Sequence, residues 1–369
     1  MKILYVTTIS NTVNAFLIPH IKMLVDQGHQ VDLAFNIVQE VNSELVKMGC
    51  TVHRLKFERS PLKKQNYLAY KELKKIIKDE QYDLIHTHTP VASACVRLAC
   101  KAFKDVKVIY TAHGFHFYKG ASYKNWLLYY SIEKWLARYT DVLITINKED
   151  YKRAKKSFNA GRVEYIPGVG LNVQRFSETL VDRKTKRNEI CIPEDAFVVL
   201  SVGELNPNKN HETIIRAISK LNNPNIYYVI CGQGPLNKYL SDLVKELNME
   251  NQVKLLGIRN DIAEICKISD VFVFPSFREG LSVALMEAMA SGLPIICSDI
   301  RGNRDLIENK KGGYLVSPND ISGFAKYIES ILMFSEDSAA MAKHNIDIIE
   351  SFSTRNVLKR MQEIYSIIN

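Results

Sequence analysis

Two glutamates stand out in the run PSFREGLSVALMEAMASGLPIICSD, residues 275–299, because seven residues separate Glu279 from Glu287. The run follows the apolar stretch VFVF (271–274), which reads as a buried strand. Ser282 is a good N-cap for a helix over 283–290. That leaves Glu279 in the loop and sets Glu287 more than a turn into the helix. Gly280 lets backbone N–H groups approach a ligand closely. Leu281, Ser282 and Val283 open the helix, whose positive N-terminus suits a diphosphate. A carboxylate at Glu287 can accept both hydroxyls of a ribose, and one at Glu279 can do the same for a sugar. A capped surface helix with two solvated glutamates has the same pattern, so the surroundings must decide.

Further candidates sit where apolar runs end. Gly203 closes FVVLSV, and Lys209 stands in NPNKNH just before a helical segment. Gly232-Gln233-Gly234-Pro235 follows IYYVIC and reads as a tight strand-to-helix turn. Gly257 and Ile258 lie in the loop LGIRND after another strand. In the first half, His113 directly follows VIYTA, with His116 just beyond. His86 and His88 flank Thr87, and strand alternation puts both on one face. Two such histidines can bind a metal, but no third ligand cluster is visible in the sequence. The chain contains no D-x-D, which argues against a metal-bridged diphosphate.

The order proline-serine after a strand, E-G-x6-E, then A-x3-G-x-P into the next strand closely resembles the signature of glycosyltransferase family 4, in the GT-B class. The resemblance covers nearly the whole chain. HTHTPVASA (86–94), TAHGFHFYKG (111–120), SIEKWLARYTDVLITIN (131–147) and DIRGNRDLIE (299–308) resemble the branch used in bacterial capsule and exopolysaccharide synthesis. It implies a retaining enzyme that moves a hexose or N-acetylhexosamine from a UDP-sugar to a polyprenyl-diphosphate-linked saccharide, by front-side displacement. No metal or other cofactor is implied.

The resemblance also implies residue roles. His113, Glu279 and Lys209 are the catalytic candidates, with Lys209 on the diphosphate and His113 near the transferred sugar. Gly203, Gly232, Gly257, Ile258, Gly280, Leu281, Ser282, Val283 and Glu287 complete the donor site, with the backbone of 256–261 on the base. Asn11, Thr12, His88 and His116 fall on the acceptor side. Two departures matter. The family commonly carries arginine after Gly203, where this chain has Glu204; Arg278 and Arg301 are candidate replacements. The first loop, Thr8–Asn14, lacks the usual glycine pair.

The elements that must position these residues are legible from periodicity. Short β-branched runs alternate with amphipathic segments, and near-continuous apolar strands are what a parallel sheet covered on both faces requires. The expected fold is α/β of the GT-B type: two Rossmann-like doubly wound domains facing across a cleft, with a C-terminal helix crossing back to the N-terminal domain. The alternation pauses between about 168 and 195 in a polar, charged stretch. The expected domains are therefore 1–175 for the acceptor, 176–351 for the nucleotide-sugar, and a terminal helix over 352–369. A nucleotide-sugar epimerase or hydrolase, or a non-catalytic sugar-binding protein, shares much of this pattern.

The chain of 369 residues has a net charge of +9, and its basic excess lies in the first half. That points to an anionic partner. Residues 59–75 and 123–139 interleave Lys and Arg with Tyr, Leu and Trp, as a segment lying on an anionic membrane does. A core helix packed on the sheet is the other reading of 123–139. No helix-turn-helix, RRM or OB signature supports nucleic acid. No run approaches 18 apolar residues, and seven cysteines without a C-x-x-C pair read as reduced thiols. The expected location is cytoplasmic, peripheral on the inner face of the plasma membrane.

Overall fold

The computed structural model describes residues 1–368, save the side chain of Ser335. Asn369, the last residue of the segment expected as a terminal helix, lies outside the described residues. The chain divides into two compact units. The first comprises Met1–Gly170 together with the helix that begins at Thr354, and the second Leu171–Ser353.

The first unit holds a seven-stranded parallel sheet: β1 (Lys2–Ile9), β2 (Gln30–Asn36), β3 (Val52–Arg54), β4 (Leu84–His88), β5 (Lys107–Ala112), β6 (Val142–Thr145) and β7 (Arg162–Tyr165). Their order is β3-β2-β1-β4-β5-β6-β7. The second holds six parallel strands: β8 (Phe197–Val202), β9 (Ile226–Cys231), β10 (Val253–Gly257), β11 (Val271–Phe274), β12 (Ile295–Ser298) and β13 (Gly313–Val316), in the order β10-β9-β8-β11-β12-β13.

Each sheet is apolar on both faces because its strands feed two separate cores. Along β1, Ile3 and Tyr5 join the cluster that includes Val357, Met361 and Ile364 of the C-terminal helix Thr354–Ile368. Leu4 and Val6 point the other way, to Leu73 and Ile77 of the helix Lys64–Glu80 and Val96 of the helix Pro90–Cys100. Along β8, Val198 and Leu200 face one core while Phe197 and Val199 face the other. The period of two in a strand produces this division.

The C-terminal helix is tied into the first unit by more than apolar contact. The hydroxyls of Tyr5 and Tyr365 lie 2.6 Å apart in the interior, and Arg360 pairs with Glu164 of β7 at 2.9 Å. The helix therefore returns to the first sheet.

The charged stretch near 180 is structured. Two short helices, Val173–Ser177 and Arg183–Glu189, occupy it. Lys186 and Arg187 are buried there because each finds anionic or carbonyl partners. Lys186 bridges to Glu189, Asp261 and Glu264, and Arg187 donates to the carbonyls of Ile268, Glu194 and Ala196. These charges are buried and satisfied.

Candidate active site

In doubly wound sheets, ligands bind beyond the carboxyl ends of the strands, where strand order reverses. In the second unit the order reverses between β8 and β11. The loop after β8 carries Gly203–Asn210, and the loop after β11 carries Pro275–Ser282. Two separated stretches of sequence are thus placed side by side.

Backbone and side-chain bonds stitch these loops together. The N–H of Phe277 donates to the carbonyl of Asn208 at 2.9 Å, and Nδ2 of Asn208 returns a bond to the carbonyl of Arg278 at 3.0 Å. Nδ2 of Asn210 reaches the carbonyl of Pro275 at 3.2 Å. At the centre, Nζ of Lys209 lies 2.7 Å from Oε1 of Glu279, with only 19% and 15% of the two side chains exposed. Two expected catalytic residues therefore form one ion pair.

The stem of Lys209 runs over Gly203, where a Cβ would come within 3.1 Å of Lys209 Cδ and Cε. The ammonium sits 4.6 Å from the Phe274 ring centroid, a cation–π contact. Gly232 is required by backbone approach, since a Cβ there would lie 1.9 Å from the carbonyl oxygen of Gly203. The N–H of Gly232 in turn donates to the carbonyl of Gly257 at 2.8 Å. These glycines bring the ends of β8, β9 and β10 together, and Ile258 beyond them is 73% exposed.

The helix Val283–Ala290 starts at Ser282, whose hydroxyl accepts from the N–H of Leu285 at 3.3 Å. The N–H groups of Val283 and Ala284 lie outside the intrahelical ladder and are available to an anion. Leu281 and Val283 pack partly against the core and anchor the turn. Gly280 joins Glu279 to this helix start. Glu287 lies further along the helix, half-buried, and burial pushes its carboxyl up to about 7 against the opposing pull of Arg175.

Of the candidate replacement cations, Arg301 is buried and donates from Nε to the carbonyl of Glu279 at 3.2 Å, supporting the loop from behind. Arg278 is exposed. Glu204 turns along its own loop, accepting from Nδ2 of Asn206 at 2.9 Å. Asn208, Asn210 and Arg175 were not singled out by sequence reasoning. The three asparagines of NPNKNH were the available signal for the first two. Arg175 is 112 positions from Glu287 in the chain, and no local pattern connects them.

In the first unit, β4 ends in His88 and its neighbour β5 leads directly to His113. Nδ1 of His88 lies 3.1 Å from Nε2 of His113. Burial pushes the His113 imidazole down to about 4, so it is neutral near pH 7. His116 is elsewhere, stacked on Tyr129 with ring centroids 4.8 Å apart. Asn11 is exposed and Thr12 half-buried, in the turn Ser10–Thr12 that follows β1. Among the described residues, no group of three or more His, Cys, Asp or Glu side chains is disposed to hold a metal ion. All seven cysteines are free thiols, five of them buried.

Two Rossmann-like units, each a doubly wound parallel sheet, have the fold of GT-B glycosyltransferases. Comparison with known proteins narrows this. Residues 2–147 match the family described as Glycosyl transferase 4-like, and residues 182–347 the family described as Glycosyl transferases group 1. The chain belongs to glycosyltransferase family 4. It is 36% identical over 371 residues to EpsD of Bacillus subtilis (strain 168), provisionally named a glycosyltransferase, covering 99% of this chain and 96% of that one. It is 32% identical over 302 residues to the UDP-Gal:alpha-D-GlcNAc-diphosphoundecaprenol alpha-1,3-galactosyltransferase of Escherichia coli, covering 79% and 76%. In fold it is similar to Anabaena HepE, crystallised with UDP, at a TM-score of 0.81 and 20% identity over 99% of this chain and 100% of that one.

Proposed function

We propose that the protein is a retaining transferase that moves a hexose or N-acetylhexosamine from a UDP-sugar to a polyprenyl-diphosphate-linked saccharide in capsule or exopolysaccharide synthesis. The observation that carries this is the Lys209–Glu279 pair beside the helix capped by Ser282. A donor diphosphate takes the place of Glu279 at the ammonium and lies on the first N–H groups of the helix. Glu279, released from Lys209, then turns its carboxylate to hydroxyls of the sugar. Glu287 accepts the ribose hydroxyls, and the backbone at Gly257 and Ile258 meets the base.

In the reaction the bond from the anomeric carbon to the phosphate oxygen breaks, and the acceptor oxygen bonds on the same face. The departing phosphate takes the acceptor's proton. Lys209 and the helix N-terminus meet the charge that develops on the leaving UDP. His113 hydrogen-bonds a substrate hydroxyl. The choice of UDP is supported by the structures of HepE with UDP and with UDP-glucose. The acceptor class is supported by the name of the Escherichia coli relative.

A lipid-linked acceptor requires access to a membrane. No helix of the described residues is long and apolar enough to cross one. The segment beginning at Tyr123 instead leaves Tyr123, Leu127, Leu128, Ile132 and Trp135 exposed, with Lys124, Lys134 and Arg138 among them. Its inward side buries Glu133, Leu136 and Ala137. A π-helical turn, Trp126–Tyr130, lies within this stripe of exposed apolar residues. Such a stripe lies in the interface of an anionic bilayer, which gives a peripheral position on the inner face of the plasma membrane.

Calorimetric titration with UDP, GDP and ADP, with and without EDTA, tests the donor site. Saturable binding of UDP, unchanged by EDTA, is expected. Absence of binding to all three nucleotides overturns the reading. Flotation with vesicles containing phosphatidylglycerol tests the membrane face, which Leu128→Glu together with Ile132→Glu should abolish.

A further inference from the structure

The first unit gathers four histidines around one small buried space: His20, His86, His88 and His113, together with Thr111. Two of them are anchored by a group of known polarity or by two partners. Nε2 of His20 donates to the carbonyl of Val169 at 2.9 Å. His86 uses both nitrogens, toward the hydroxyls of Tyr365 and Thr111 at 2.5 and 2.8 Å. His113 meets His88 through Nε2. His88 differs: it is 2% exposed, its Nδ1 meets His113, and its Nε2 has no partner.

The ring of His88 is fixed in place. It lies 4.3 Å from His86, 5.5 Å from Tyr5 in a stack, and 5.3 Å from His113. Its backbone is fixed as well. Thr89 follows at φ +65, a strained conformation for a β-branched residue. The Thr89 side chain holds that turn, accepting from the N–H of Thr8 at 3.1 Å and pairing with the Thr8 hydroxyl at 2.7 Å.

We infer that His88 is a positioning residue that sets the tautomer of His113, so that His113 keeps its proton on Nδ1 and presents it as a donor to substrate. The inference rests on the reading above that His113 contacts substrate. The groups acting electrostatically on His88 are His86, His113 and His20, and each disfavours a further positive charge. Burial acts in the same direction, so the pair is neutral and shares one proton between Nδ1 of His88 and Nε2 of His113.

That proton has two places. If His113 donates it, His88 carries its own N–H on Nε2, buried without an acceptor, and a buried orphan N–H is rare and costly. If His88 donates it, Nε2 of His88 holds only a lone pair, which is the better tolerated orphan. The second arrangement leaves Nε2 of His113 as acceptor and its hydrogen on Nδ1. His113 then acts as a hydrogen-bond donor and does not act as a general base.

The test combines a tautomer measurement with a donor series. Protein labelled with 15N-histidine is read by two-bond proton–nitrogen correlation, with the His113 signals assigned by their loss in His113→Ala. His88→Asn keeps an amide donor where Nδ1 stood, whereas His88→Phe keeps the ring and removes the donor. Transfer is followed as UDP released from UDP-galactose, with GlcNAc-diphosphoundecaprenol as acceptor. Near-ultraviolet circular dichroism and a cooperative thermal melt report that the first unit of each variant is folded, and UDP affinity reports that the second is.

The expected result is an Nδ1–H tautomer for His113 in the unaltered protein and in His88→Asn, and a mixture in His88→Phe. Loss of one oriented donor should lower kcat in His88→Phe about tenfold, with KM for the donor nearly unchanged and most of kcat restored in His88→Asn. An Nε2–H tautomer in the unaltered protein overturns the inference. So does equal impairment of the Asn and Phe variants, which marks a packing role alone. Full transfer by His113→Ala, with the Nδ1–H tautomer of His113 observed in the unaltered protein, refutes substrate contact by His113 and leaves the tautomer assignment standing.

Discussion

Glu287 offers the sharpest test of the donor site. Its carboxyl is pushed up to about 7 by burial, yet a carboxylate is the form that accepts two ribose hydroxyls. Donor binding must therefore draw the proton off. With an ionisation midpoint near 7, about nine-tenths of the protein carries the carboxylate at pH 8 and about one-tenth at pH 6. If only that form binds, affinity falls about tenfold over the two units, or about 1.4 kcal/mol. UDP-glucose is the proper probe, because its doubly esterified diphosphate does not titrate in this range, whereas the terminal phosphate of UDP does. His113, held near 4, does not titrate there either. Calorimetry from pH 5.5 to 8.5 on the unaltered protein and on Glu287→Gln reads the effect directly. The variant should bind more weakly at pH 8 and show a flat profile. A flat profile in the unaltered protein, or the same slope in Glu287→Gln, refutes the assignment of Glu287 to the ribose.

Other consequences follow from the same geometry. Because the Glu287 carboxyl is raised in the folded state, the fold binds more protons than the unfolded chain between about 4.5 and 7, so its contribution to stability is lost as pH rises through that window. Thermal melts should accordingly find Glu287→Gln more stable than the unaltered protein at pH 8, with the gap closing toward pH 5. Lys209→Met strands the half-buried Glu279 and should lower Tm; adding Glu279→Gln should recover part of that loss while leaving transfer abolished, as a double-mutant cycle would reveal. Gly203→Ala presses on a flexible lysine stem at 3.1 Å and should reduce turnover with the fold intact, as activity and circular dichroism together can show. Gly232→Ala drives a Cβ to 1.9 Å from a backbone oxygen, and about 3 kcal/mol or more of destabilisation should appear in denaturant unfolding.

Much of the architecture is written locally. Strands such as VFVF (271–274) and IYYVIC (226–231) announce themselves through β-branched, apolar runs, and parallel pairing follows from their alternation with helices. The cap at Ser282 and the spacing of Glu279 and Glu287 are equally local, because a helix converts residue count directly into position. The partners of the polar stretch near 180 are not local. Lys186 and Arg187 are met by Asp261, Glu264 and Asp270, far along the chain.

What the amino-acid order determined by itself was the two-sheet α/β fold, the family and the residues that end each strand. Those properties depend on periodicities of two and 3.6 and on motifs within one loop. What the tertiary structure alone decided was partnership. Strand order set Lys209 beside Glu279 across 70 positions, placed Arg301 behind that glutamate, and aligned His88 with His113. Ion pairs, shared protons and burial depend on distance in space, and strand crossing sets that distance with no trace in the local sequence.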